Sequence, residues 1–368
     1  MKPHKIVTLS VMCISGVHIY AQCCAGGSGS PIAGGASQGV LQERQMEISS
    51  NFQYINTDKF YKEDKPDTSY FDGFHSNYVY TRLGYGITKN LTMSVESGYW
   101  INKTQIGLYK IDTISSSGFG DLILFPRYDI LNRTDENKRT EITFGLGVKI
   151  PLGSYNDSTK HIEPFSGEPY YITKPLAVQT SSGSHDIIFY SFFFRGYPLK
   201  NFRLFSNVLY IRKGWNPIGE KIGDYASIGL FAGTTLFRNL GFTFQVKGEW
   251  VDKMKINKDI LLYHYPNYDP EATGSKKVFI APQISYTLKN NFTIYAMTEI
   301  PVYQYVVKTQ VASQYQFTMG ISYRFFTTRS VIPGSDGEAS YVCPMKCQPA
   351  SKEPGQCRVC GMDLKKLP

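Results

Sequence analysis

Apolar and polar side chains alternate with a period of two along most of the chain. Over residues 46–54, Met46, Ile48, Ser50, Phe52 and Tyr54 share one face, and Glu47, Ser49, Asn51 and Gln53 share the other. Successive side chains of a β-strand point to opposite faces, so this period is typical of a strand with one apolar and one polar face. The pattern therefore predicts an all-β protein.

Twelve segments carry the alternation. They are residues 46–56, 75–88, 91–101, 119–131, 140–150, 184–196, 202–212, 223–236, 241–252, 276–288, 292–304 and 315–326. The segment 184–196 fits least well, because Ile187 to Phe194 is apolar on both faces. We nevertheless count it among the twelve expected strands.

The connectors between the segments differ regularly in length. Four short connectors contain a basic residue followed by Asn, which tolerates the positive φ of tight hairpins: Lys89-Asn90, Lys200-Asn201, Arg238-Asn239 and Lys289-Asn290. Longer polar connectors lie between them, at 57–74, 102–118, 151–183 and 253–275. Short turns that alternate with long loops are typical of outer-membrane barrels.

We therefore predict a 12-stranded antiparallel transmembrane β-barrel over residues 46–327. Aromatic residues at the segment ends, Tyr99-Trp100, Trp250 and Phe325-Phe326, favour this interpretation, because such barrels have interfacial aromatic belts. A soluble β-sandwich shares the alternation and is the alternative.

A barrel of this size has a narrow or partly plugged lumen. The polar faces supply the candidate lumen charges Arg82, Glu96, Asp121, Arg127, Asp129, Glu141, Lys149, Lys247, Glu249, Glu299 and Arg324. Such groups either select a solute or form an ion-pair network that fills the barrel. Buried charges generally need partners, which favours the network.

Two glycine-rich motifs carry a resemblance to a known barrel family. Gly118-Phe119-Gly120-Asp121-Leu122 opens one strand, and the motif 147–153, Gly-Val-Lys-Ile-Pro-Leu-Gly, closes the next. Over residues 78–326 the chain resembles the outer-membrane β-barrel family named for the meta-pathway of phenol degradation, which is labelled as a transporter family. The resemblance implies a barrel and a transport role, and it does not extend to the connector 154–183 or to a phenol substrate.

The first 21 residues have the pattern of a secretory signal. Lys2 and Lys5 precede an apolar stretch, and Ala21 provides a small residue before the expected cut. We expect a flexible segment at 22–45, with Cys23 and Cys24 as a thiol pair; lipidation of Cys23 fits less well, because Gln22 rather than a small residue precedes it. Removal of the signal lowers the net charge from +9 to +7, and no basic block remains, so nucleic-acid binding is not supported.

The remaining cysteines lie together at the other end of the chain. A polar linker at 328–340 leads to a tail, residues 341–368, that contains Cys343, Cys347, Cys357 and Cys360. These form a C-x3-C and a C-x2-C pair, and two such pairs can supply four sulfur ligands to one ion in a zinc-ribbon-like unit. A structural zinc site and two disulfides are the alternatives to metal capture.

The tail resembles the short heavy-metal-binding domain found in copper-transporting ATPases and in adaptor subunits of metal-efflux pumps. The residues in register are Cys343, Pro344, Met345, Pro354, Gly355, Cys357, Cys360, Gly361 and Met362. Lys346 and Cys347 depart from the pattern, since the family has His and Pro there. The resemblance implies metal binding. Thioethers from Met345 and Met362 beside thiolates would favour Cu(I) as first choice, with Zn(II) as the alternative.

These patterns predict a non-enzymatic protein of the cell outer membrane with its tail in the periplasm. Its expected partners are outer-membrane lipid, a metal ion and periplasmic components of metal efflux, and its expected role is metal binding, handling or transport. A channel for small organic solutes with a structural metal-stabilised tail is the alternative. A lipid hydrolase is disfavoured, because His75, His161, His185 and His264 have no convincing catalytic neighbours on the alternating polar faces.

Overall fold

The computed structural model describes residues 39–69, 71–110, 113–135, 138–163, 165–236, 239–257, 271–288, 292–327, 341–342 and 364–366. Twelve long strands form its main body. They are β1 (Gln45–Thr57), β2 (Gly73–Gly86), β3 (Leu91–Ile106), β4 (Ile114–Asp135), β5 (Lys138–Ile150), β6 (Asp186–Tyr197), β7 (Phe202–Arg212), β8 (Tyr225–Leu236), β9 (Leu240–Val251), β10 (Ser275–Leu288), β11 (Phe292–Val311) and β12 (Gln316–Phe326).

The strands close into an antiparallel barrel. Each strand pairs with its neighbours in the chain, and β12 pairs with β1 in a register that joins Gln45 to Phe326 and Ile55 to Gln316. Closure leaves no free sheet edge, which satisfies the backbone groups that lipid cannot hydrogen-bond. The predicted 12-stranded barrel is confirmed. Among the described residues no helix is long and apolar enough to cross a membrane.

The alternation along each strand separates the two surfaces of the wall. On β1, Glu47, Asn51 and Gln53 are buried inside, whereas Ile48 is exposed on the outside. The outer surface carries large apolar side chains along the whole barrel, among them Leu83, Val95, Phe144, Leu146, Ile228 and Phe244. The predicted apolar outer surface is therefore present, as lipid contact requires.

Several strands are longer than their sequence pattern indicated. β4 extends from Ile114 to Asp135 and β11 from Phe292 to Val311, beyond the predicted 119–131 and 292–304. The connector between β3 and β4 is consequently shorter than the predicted 102–118. The polar ends of these strands do not face lipid, so their side chains need not alternate and the sequence pattern ends before the backbone pairing does.

The barrel has two different ends. Short connectors join β2 to β3, β4 to β5, β6 to β7, β8 to β9 and β10 to β11, and the first and last strands begin and end there; we call this the turn end. The other end, the loop end, carries the long connector 151–185 with a hairpin of Ser158–Ile162 and Pro169–Thr173. A second hairpin, Phe60–Glu63 with Lys65–Asp67, extends the edge of β11 there. The connector at 312–315 is short, so the alternation of connector lengths does not hold throughout.

Candidate functional site

The lumen is the first candidate site, and one half of its wall is aromatic. The buried inward side chains of this half are Ile123, Phe125, Ile188, Tyr190, Phe192, Phe205, Leu209, Ile211, Tyr225, Phe231 and Val251. The rings of Phe205 and Phe231 stack with their centroids 4.4 Å apart, and Phe125 meets Tyr190 edge-on at 5.6 Å. The expectation of a polar inner face is wrong for this half. The sequence did contain a sign of this aromatic half, namely the segment 184–196, which is apolar on both faces. On β6, one face meets lipid and the other belongs to the aromatic inner wall.

Trp100 also points inward. Its side chain is only 8% exposed, whereas Tyr99 is 42% exposed on the outer surface. The Trp100 ring packs against Tyr78 at 4.2 Å, and its indole N–H donates to the carbonyl of Thr180 at 3.0 Å. The prediction that Trp100 belongs to an interfacial belt is therefore wrong. The alternation along β3 places it there, because Trp100 continues the inward positions of Thr92, Ser94 and Glu96.

The opposite half of the lumen is polar and charged. Glu47 lies between two arginines: Arg324 Nε donates to its Oε2 at 2.5 Å, and Arg82 Nε lies 3.6 Å from its Oε1. The Tyr80 hydroxyl donates to the buried carboxylate of Glu96. These charges neutralise one another inside the wall, which is the arrangement that buried ions require.

A second ion-pair cluster lies near the loop end. Lys149 Nζ lies 2.8 Å from Asp121 Oδ2 and 3.0 Å from Asp186 Oδ2, and Lys213 Nζ lies 3.1 Å from the same Asp186 atom. Elsewhere Lys247 Nζ lies 2.6 Å from Glu299 Oε2. The remaining candidate lumen charges also find partners inside: Arg127 with the Gly39 carbonyl, Asp129 with Thr143, Glu141 with Arg139, and Glu249 with Tyr225. The contacts thus fit the network interpretation of these charges.

The long connector at the loop end folds into the barrel. Its residues 177–184 are all buried. Two lysines of the wall bind this segment. Lys103 Nζ donates to the backbone carbonyl of Gln179 at 2.8 Å, and Lys149 Nζ donates to the side-chain Oγ of Ser182 at 2.5 Å. A segment inside the loop end narrows the path that a solute would take, so this inward loop, residues 177–184, is part of the candidate site.

A second inward segment lies at the turn end, immediately before β1. Residues 39–41 reach side chains of three neighbouring strands through hydrogen bonds from Arg127 Nη1 to the Gly39 carbonyl (3.1 Å), from the Val40 N–H to Glu141 Oε1 (3.3 Å) and from the Leu41 N–H to Thr92 Oγ1 (2.7 Å). Leu41 is buried. The sequence predicts a flexible segment over 22–45, and its last residues are instead held inside the lumen; residues 22–38 lie outside the described residues.

The predicted metal ligands Cys343, Met345, Cys347, Cys357, Cys360 and Met362 all lie outside the described residues. The structure describes the two ends of the tail around them: Tyr341–Val342 pairs antiparallel with Lys365–Lys366. This pairing closes the stretch that contains the four cysteines into a loop. Within the ranges that the structure describes, no group of three or more His, Cys, Asp or Glu side chains could hold a metal ion.

Known proteins resemble the two parts of the chain separately. The family model for a heavy metal binding domain matches residues 340–367. In fold, the chain is similar to the COG4313 outer membrane channel from Pseudomonas putida F1, with a TM-score of 0.56 and 12% identity over 79% of this chain and 99% of that one. It is also similar to the beta domain of the Bordetella autotransporter Brka, with 10% identity over 77% of this chain and 100% of that one. At a TM-score of 0.43 the second likeness supports no conclusion.

No curated protein matches the chain significantly. Neither structure named above is described as a member of the meta-pathway family, so that resemblance stays a prediction. At its low identity, the likeness to the Pseudomonas channel shows the fold alone. The chain therefore has the fold of an outer-membrane channel barrel over its main body, and its residues 340–367 match the family model for a heavy metal binding domain.

Proposed function

We propose that this protein is an outer-membrane channel that handles a soft metal ion, which its tail binds in the periplasm. The observation that carries the proposal is the match of residues 340–367 to a heavy metal binding domain, because this stretch contains four of the seven cysteines of the chain. The pairing of Tyr341–Val342 with Lys365–Lys366 supports it, since it brings both ends of the cysteine-rich loop together.

The chemistry of the tail supports a soft ion. Thiolates from Cys343, Cys347, Cys357 and Cys360 suit Cu(I) and Zn(II) equally, and a thioether from Met345 or Met362 would favour Cu(I). Ligand bonds of a structural zinc site contribute about 10–16 kcal/mol to folding, which is enough to order a unit of this size. Periplasmic components of metal efflux are the partners that such a site would serve.

The placement of the tail in the periplasm rests on the topology. An even number of strands returns the chain to the end at which it entered, and β1 begins beside the end of β12 at the turn end. Outer-membrane barrels keep their short turns in the periplasm and their long loops outside. The turn end, and with it the tail, would then be periplasmic.

A channel for small organic solutes is the second candidate function. The aromatic half of the lumen favours it, because stacked rings such as Phe205 and Phe231 offer an apolar solute contacts that a hydrated ion cannot use. In this alternative the tail would be a structural appendage whose metal has no part in transport.

Metal analysis of the purified full-length protein tests the leading proposal. We expect one equivalent of copper or zinc per chain, and we expect its loss when Cys343, Cys347, Cys357 and Cys360 are all replaced by Ser. The matched control replaces Cys23 and Cys24, the other thiols of the expected mature chain, and should keep the metal. Equal metal content in all three proteins would contradict the proposal.

Transport measurements separate the two candidates. Vesicles that contain the full-length protein should release copper or zinc faster than vesicles that contain the four-serine protein, if the tail takes part in handling the ion. Equal metal flux in the two, together with saturable flux of small aromatic solutes, would instead favour the organic-solute channel.

A further inference from the structure

Among the described residues, Arg203 is an inward-facing cation without a carboxylate partner. It lies on β7 near the turn end, and its neighbours Phe202 and Leu204 are exposed on the outer surface. Its Nε atom has no hydrogen-bond partner, and desolvation acts on its charge without an opposing carboxylate among the described residues. In the same lumen Arg82 and Lys149 each have a carboxylate within ion-pair distance. Arg203 therefore differs from these cations of the wall.

Two glycines, Gly233 and Gly241, lie beside the Arg203 side chain. A Cβ atom added to Gly233 would lie 2.8 Å from Arg203 Nε and 3.1 Å from Thr243 Oγ1, and one added to Gly241 would lie 2.5 Å from Ser285 Oγ and 3.4 Å from Arg203 Nη2. The two glycines thus leave room for the Arg203 side chain, and the Ser285 hydroxyl beside it donates to the Gly241 carbonyl at 3.4 Å.

Thr243 provides a second and independent observation. Its side chain is only 4% exposed, and its hydroxyl has no hydrogen-bond partner. Native proteins seldom leave a buried hydroxyl unpaired, because the hydrogen bonds that it loses to water are then not replaced. The Arg203 guanidinium and the Thr243 hydroxyl each have a donor without a partner among the described residues. An oxyanion can accept a hydrogen bond from both.

We propose that Arg203 and Thr243 form an oxyanion-binding site at the turn end of the lumen. The ligand class is a small phosphate or carboxylate, which neutralises the guanidinium and accepts a hydrogen bond from the Thr243 hydroxyl. Lys200 lies exposed on the turn before β7 and attracts anions towards this end. The site consists of barrel residues, so the proposal does not depend on metal binding by the tail.

Calorimetric titration of the purified full-length protein in detergent, at constant ionic strength, tests the site with inorganic phosphate and with acetate as probes. We expect saturable binding of at least one of them. Loss of a hydrogen bond to a charged group weakens binding by about tenfold or more, so Arg203→Gln should show that loss and Thr243→Val a smaller one. Lys200→Gln, which removes a basic side chain from the adjacent turn, should change the affinity by less than about threefold.

The relative affinity of the two probes indicates the ligand class, and a second variant covers the case in which the first does not fold. Tighter phosphate binding would assign a tetrahedral ligand, and tighter acetate binding a carboxylate. If Arg203→Gln fails to show the mobility shift of a folded barrel on unheated gels, Arg203→Lys retains the charge and loses the planar fork, and it should also bind more weakly. Absence of saturable binding to the unaltered protein, or equal affinity in folded Arg203 variants, would overturn the site.

Discussion

Arg324 and Glu47 join the two ends of the barrel sequence. They are direct cross-strand partners on β12 and β1, and Arg324 Nε donates to Glu47 Oε2 at 2.5 Å. The same carboxylate lies 3.6 Å from Arg82 Nε on β2. One buried acid thus links three consecutive strands at the position where the barrel closes.

Replacement of Glu47 should destabilise the barrel strongly. Glu47→Gln keeps the shape of the side chain but leaves Arg82 and Arg324 without their shared counter-charge, and broken buried ion pairs cost about 3–5 kcal/mol. Urea titration in detergent, followed by tryptophan fluorescence, measures the free energy of unfolding. Glu43→Gln, in the exposed pair with Arg44, should cost less than about 1 kcal/mol. Similar costs for the two variants would refute the role assigned to the closure pair.

The segment before β1 should leave the lumen when its contact with β2 is blocked. A Cβ atom on Gly86 would lie 1.9 Å from the carbonyl oxygen of Gln42, so Gly86→Ala forces these residues apart. We expect a larger single-channel conductance in planar bilayers, because residues 39–41 then no longer occupy the turn end. Gly248→Ala is the control, since its nearest neighbour would lie 3.4 Å away. An unchanged conductance in Gly86→Ala would show that the segment does not obstruct the path.

The inward loop should open when its contact with Trp100 is removed. Trp100→Phe keeps an aromatic ring but deletes the indole donor, and an unpaired buried carbonyl at Thr180 costs about 1–3 kcal/mol. Protease cleavage within 177–184 should become faster, and the conductance should rise. Tyr171→Phe, on the exposed hairpin of the same connector, is the matched control and should change neither. Cleavage at equal rates would mean that other contacts hold the loop.

Sidedness is testable on intact cells. Phe165 is 98% exposed in the loop-end hairpin, so an epitope inserted beside it should be labelled from outside. An epitope placed after Leu367 should be labelled only after the outer membrane is permeabilised, because the turn end faces the periplasm in our proposal. Labelling of the second epitope on intact cells would show that the orientation is reversed or that the tail does not lie in the periplasm.

The interior of the barrel shows where sequence reasoning reached its limit. The inward position of Glu96, Thr92 and Ser94 follows from their alternation with apolar residues on β3. The inward position of Phe192 and Phe205 does not, because an aromatic side chain satisfies lipid and a packed lumen equally well. For the tail, the metal-binding hypothesis rests on the spacing of the four cysteines.

The sequence by itself determined the number of strands, the positions of most turns and the lipid-facing surface, because lipid contact imposes a period of two on residues that are adjacent in the chain. Only the tertiary structure decided which lumen side chains meet. Glu47 and Arg324 become partners through the register of a closed sheet, and Trp100 meets the Thr180 carbonyl because the inward loop folds against β3. Among the described residues, Arg203 lacks a carboxylate partner for the same reason: its neighbours are set by strand pairing across β8 and β9, which no local pattern along β7 records.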